Sequence, residues 1–78
     1  MLNKNYVCNL QVKDADQNMV FSLNDETTTG TRAVVTVLKN LGIDEWIPFI
    51  NTKDGKEAKG TYMGMTYEVS LYDPWARY

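Results

Sequence analysis

The chain has 78 residues, of which 44% are apolar and 23% charged, with two prolines, one cysteine and no histidine. That length is near the lower limit for a core built without disulfides or metal, so it gives a single domain, residues 1–78, and the apolar fraction excludes a disordered chain. Eight Lys and Arg against ten Asp and Glu leave a net charge of −2, which supplies no long-range pull toward phosphate backbones or anionic lipid.

Cys8 stands alone, so no internal disulfide can form and a reducing, cytoplasmic setting is expected. Met1 to Asn5 carry one lysine and no apolar run of signal-peptide length. Nowhere does the chain approach the roughly 20 apolar residues of a membrane span, so a soluble protein with no membrane partner is expected.

In chain order, Tyr6, Cys8, Leu10 and Val12 alternate with Val7, Asn9, Gln11 and Lys13, the period of a half-buried strand. The polar cluster Asp14 to Asn18 predicts a turn, and Met19, Phe21 and Leu23 then alternate with Val20, Ser22 and Asn24 to complete a hairpin. Asp25 to Gly30 has the acids, threonines and glycine of a turn leading into a helix.

Val34, Val37, Leu38 and Leu41 recur at i, i+3, i+4 and i+7, which predicts a helix over Thr31 to Leu41 with its apolar stripe on one side. Gly42 and Ile43 follow as a left-handed cap and its hydrophobic contact. The β-branched residues Thr31, Val34, Val35, Thr36 and Val37 favour a strand instead, by a margin smaller than tertiary packing can override.

Trp46 to Ile50 is apolar throughout and contains Pro48, as expected of an edge or bulged strand. Lys53 to Lys59 has the composition of an exposed hairpin loop around Asp54-Gly55, and Thr61 to Tyr72 alternates as one long strand that Asp73-Pro74 ends. The expected fold is therefore a small α+β domain of order ββαββ, with one helix packed on one face of an antiparallel or mixed four-stranded sheet.

The chemical signals are few. Without histidine the chain lacks the commonest general base and metal ligand. Cys8, on the apolar side of the first strand, reads as a core thiol rather than a nucleophile. Asp14, Asp16, Asn18 and Asp25 imitate the spacing of a calcium loop, but Met19 stands where that loop needs glycine.

Asp25-Glu26 and Asp44-Glu45 read as carboxylates at element ends, solvated or capping rather than catalytic. No catalytic residue, cofactor or metal site is expected.

A helix of about 11 residues is roughly 16 Å long and about 10 Å across, whereas strands ~4.8 Å apart make a wider sheet. Further apolar cover is therefore expected from the C-terminal aromatics, from Trp46 to Ile50, from a second copy or from another protein. The expected partner-binding residues are Tyr62, Glu68 and Tyr72 on the sheet with Trp75 and Tyr78 beyond it.

These features predict a non-catalytic inhibitor or accessory subunit that occupies a surface of a larger protein or nucleoprotein complex. In size, acidity and lack of motifs the chain is similar to small phage or mobile-element inhibitors, including anti-CRISPR and anti-restriction proteins, a similarity of character that implies no site residues. The alternative expectation is a single-stranded nucleic-acid module that stacks bases on Tyr62 and Tyr67 beside the Lys53 to Lys59 loop.

Overall fold

The computed structural model describes residues 6–73. Its elements are β1 (Tyr6–Lys13), β2 (Met19–Thr28), α1 (Thr31–Asn40), β3 (Ile50–Asn51), β4 (Gly55–Tyr62) and β5 (Met65–Tyr72). All strand pairs are antiparallel, and the sheet order is β2-β1-β5-β4-β3. The α+β class is as expected, while the sheet has five strands rather than four and the order becomes ββαβββ.

The additional strand arises at Met63-Gly64. Thr61 to Tyr72 is not one strand but the end of β4, a two-residue turn and β5. Met63 has φ 51° and Gly64 φ 85°, the pair of positive values that matches the right-handed twist of a hairpin. Because Tyr62 is paired with Met65, the two share a face of the sheet, and apolar residues on both sides of the turn imitate an unbroken alternation.

Lys53 to Lys59 is likewise not a loop. The turn is confined to Thr52–Gly55, where the Thr52 amide donates to the Gly55 carbonyl at 2.8 Å, and the lysines beyond it lie in β4. Ala58 alone of the β4 residues is buried. A strand this close to the sheet edge is mostly solvated, so its composition resembles that of a loop.

The first hairpin follows the predicted pattern with two irregularities. Asp14 Oδ1 accepts the amides of Asp16 and Asn18, each at 2.9 Å, so this carboxylate fastens the turn that the calcium pattern had suggested as a ligand. Farther along, Cys8 opposes Glu26 while Leu10 opposes Leu23, which leaves Asn24 and Asp25 against Asn9 alone. Asn9 Oδ1 accepts the Asp25 amide of this bulge at 3.1 Å. A second register shift leaves Val20 as the extra residue near the strand's start.

Helix α1 begins after Gly30 without a side-chain cap and ends in the predicted manner. Gly42, at φ 97°, lets its amide reach the Lys39 carbonyl at 3.0 Å while the Ile43 amide reaches that of Leu38 at 2.9 Å. These two bonds satisfy carbonyls that the last turn would otherwise orphan. Val34 and Leu38 are buried against the sheet, and Ile43 is fully buried just past the cap.

The connection from α1 to β3 provides the rest of the cover. Ile43 and Ile47 are core and Phe49 packs against it, above Cys8, Leu10, Val12, Tyr67, Val69 and Leu71 from the two central strands. The strand expected at Trp46 to Ile50 is reduced to Ile50–Asn51, because Pro48 lacks the amide that ladder pairing needs. Burial of a side chain such as Leu38 or Ile47 contributes about 1.5–3 kcal/mol. No helix among the described residues is long and apolar enough to cross a membrane.

Candidate binding surface

Residues directly opposite in an antiparallel ladder share a face, so the register assigns each side chain to one side. The helix side carries Cys8, Leu10 and Val12 of β1, Tyr67, Val69 and Leu71 of β5, and Ala58, Gly60 and Tyr62 of β4. The open side carries their neighbours. One row across it runs Ser22, Gln11, Glu68, Lys59; the next runs from the Asn24-Asp25 bulge through Asn9, Ser70 and Glu57 to Ile50.

These two rows floor a cleft of about 510 Å³, walled on the β3 side by Pro48 and Ile50. The wall follows from the alternation of the connecting segment: Ile47 points into the core and Phe49 packs against it, while Trp46, Pro48 and Ile50 are exposed. Trp46 is 86% exposed and Ile50 60%. Two large apolar side chains thus stand in solvent on the segment whose other residues close the core.

The cleft is polar at its floor and apolar at its wall. It holds the carboxylates of Glu57 and Glu68, the ammonium of Lys59 and the neutral Asn9, Gln11, Asn24 and Ser70. Among the described residues, Gln11, Glu57, Lys59, Glu68 and Ser70 make no side-chain hydrogen bond or ion pair within the chain. Their polar groups are left to solvent or to whatever enters the cleft.

Of the residues expected to bind a partner, Glu68 lies in this cleft. Tyr72 is half-buried on the same open side, in the row that also contains Val7. Tyr62 is on the opposite side, half-buried and packed against the core, because the Met63-Gly64 turn reverses the chain before the parity used for it can continue. Trp75 and Tyr78 lie outside the described residues.

Sequence reasoning missed Trp46, Pro48 and Ile50. The segment is apolar at every position, which hides the alternation of inward Ile47 and Phe49 with outward Trp46, Pro48 and Ile50.

Among the described residues two ionisable groups are displaced from their ordinary values, and both belong to the core. Burial pushes the Tyr67 hydroxyl up, and the nearby Glu45 carboxylate, which accepts its hydrogen bond, adds to the shift. Burial likewise raises the Cys8 thiol, with the Glu26 carboxylate across the ladder contributing. A neutral thiol in an apolar environment is unreactive. Among the described residues no three His, Cys, Asp or Glu side chains are grouped so as to hold a metal ion.

No family model, curated protein or solved structure matches the chain.

Proposed function

We propose that the protein is a non-catalytic binding module, a small inhibitor or accessory subunit that acts by occupying a surface of a larger protein or nucleoprotein complex through the open side of its sheet. The observation that carries this reading is the exposed apolar pair Trp46 and Ile50, the latter walling with Pro48 a cleft whose polar side chains are mostly unbonded. Interfaces are built in this way: an aromatic or aliphatic anchor gives most of the energy, and polar groups around it fix orientation. A phage or mobile-element inhibitor fits this mode of action.

The nucleic-acid alternative loses its platform. Tyr67 is 1% exposed and cannot stack on a base, and Tyr62 packs against the core on the helix side. The net charge of −2 also opposes phosphate binding.

The test is affinity capture from extracts of the native cell or its host, with Trp46→Ala and Ile50→Ser as paired variants. A protein retained by the wild type and lost by roughly tenfold or more on both variants agrees with hot-spot behaviour. Capture of nothing specific, or equal capture by wild type and both variants, rejects the reading.

A further inference from the structure

We propose that the outer edge of β4, at Lys59 to Thr61, accepts an extended strand of a partner protein, with an acidic residue of that strand opposite Lys59 and a β-branched residue opposite Thr61. This rests on the reading of the protein as a binding module and specifies how the partner is gripped.

Backbone geometry identifies the site. The Thr52 amide donates to the Gly55 carbonyl, so the polar groups of Gly55 face β3. At the other end Tyr62 and Met65 close a two-residue turn, so those of Tyr62 face β5. Alternation along an antiparallel strand then sends the N–H and C=O of Gly55, Glu57, Lys59 and Thr61 outward. Glu57 meets Ile50.

Continued past Ile50, the β3–β4 ladder would set Pro48 opposite Lys59, but Pro48 has no amide to give and the pairing ends at Ile50. There the chain turns out of the sheet, with the Phe49 amide closing onto the Ile47 carbonyl at 2.9 Å. The outward groups of Lys59 and Thr61 therefore have no backbone partner among the described residues.

The other edge of the sheet is a poorer template. Strand β2 is interrupted by register shifts at Val20 and at Asn24-Asp25, with Asp25 at φ 55°, and bulges of this kind blunt an edge. The register of β4 with β5 is unbroken from Gly55 to Tyr62. Its exposed continuation is a regular hydrogen-bonding edge of the type used in strand addition.

Side chains select the occupant. An added antiparallel strand extends the row Ser22, Gln11, Glu68, Lys59 by one residue, and opposite charges directly across a ladder attract while like charges repel. That position favours Asp or Glu. Opposite Thr61, which faces Thr66 with their hydroxyls 3.5 Å apart, a β-branched residue packs well. A second copy paired about Lys59 sets two lysines against each other, one paired about Gly60 sets Lys59 against Thr61, and Glu57 is already taken by Ile50; no symmetric register offers Lys59 an acid, so the occupant is a different chain.

The experiment selects displayed random peptides on the full chain, on Thr61→Pro and on Lys59→Glu. Proline at 61 removes an amide the fold does not use and follows Gly60, which tolerates the restriction proline imposes on its predecessor. Enriched peptides should carry an acid two places after a β-branched residue. Enrichment should fall roughly tenfold or more on Thr61→Pro, and the acid should give way to Lys or Arg on Lys59→Glu.

No enrichment, enrichment unaffected by Thr61→Pro, or no charge reversal overturns the proposal. Should Thr61→Pro not fold, amide exchange of the wild type decides: Lys59 and Thr61 must exchange fast when free and slowly with an enriched peptide, whereas Gly60 is protected throughout. Protection of Lys59 and Thr61 in the free protein overturns it. In the host-extract capture, loss on Ile50→Ser with retention on Thr61→Pro rejects strand addition alone; retention on both rejects the binding reading itself.

Discussion

Gly60 and Tyr67 face each other across β4 and β5, and a methyl group on Gly60 would lie 2.7 Å from the Tyr67 hydroxyl oxygen and 3.0 Å from its ring carbon. The missing side chain is what lets the Tyr67 ring lie over β4 and reach Glu45. That hydrogen bond ties the α1–β3 connection to the sheet, and the same connection presents Trp46 outward. A core contact thereby fixes the position of the candidate anchor.

Gly60→Ala should destabilise the protein by about 1–3 kcal/mol, the usual cost of overpacking a filled site, as measured by urea unfolding. Combining it with Tyr67→Phe should give a loss smaller than the sum of the two, because removal of the hydroxyl relieves the clash. Strict additivity would show that the two residues do not compete for the same space.

At the β4–β5 turn, Met63 holds a left-handed conformation at φ 51° and its side chain is 84% exposed. It therefore carries backbone strain with little packing in return. Met63→Asn should stabilise the protein by about 0.5–1.5 kcal/mol, since Asn-Gly suits this turn and a non-glycine residue there costs about 1–2 kcal/mol. Thermal unfolding of the two proteins compares them directly.

Stability should fall at alkaline pH through the two raised groups of the core. For each, the folded pKa lies above the unfolded one, so its contribution is fully present below the unfolded pKa and is lost as pH rises through the folded value. The decline begins near the ordinary thiol pKa of about 8.5 with Cys8 and continues above about 10 with Tyr67. Cys8→Ala should remove the first part of the slope in denaturant titrations at stepped pH, while the native thiol should react with Ellman's reagent only on unfolding.

How much of this was legible in the sequence depends on how many physical signals each segment carries. Strand β1 and helix α1 were readable because burial on one side imposes a clean period on Tyr6 to Lys13 and on Val34 to Leu41, and because Gly42-Ile43 adds a cap with its own chemistry. The β4–β5 hairpin was not, since its turn spends only Met63 and Gly64 and methionine is a poor advertisement for a left-handed residue. Strand β4 resembled a loop because one neighbour is a two-residue strand and most of its side chains meet water.

The candidate surface divides in the same way. Glu68 was readable as a polar residue on the outward parity of β5, and it lies in the cleft. Tyr62 was assigned to the wrong side by a parity that the unseen turn breaks. The exposed apolar residues were hidden because Trp46, Ile47, Pro48, Phe49 and Ile50 are all apolar, and hydrophobicity alone does not tell a side chain that closes a core from one left in solvent.

Site-specific photocrosslinking addresses the central claim most directly. A benzoylphenylalanine replacing Gln11, on the open side between β2 and β5, is compared in cells with one replacing Thr36, which is exposed on α1. The account predicts a discrete adduct with a larger protein from position 11, weakened by Trp46→Ala, and none from position 36. Adducts from position 36 alone, or none from position 11, would contradict it.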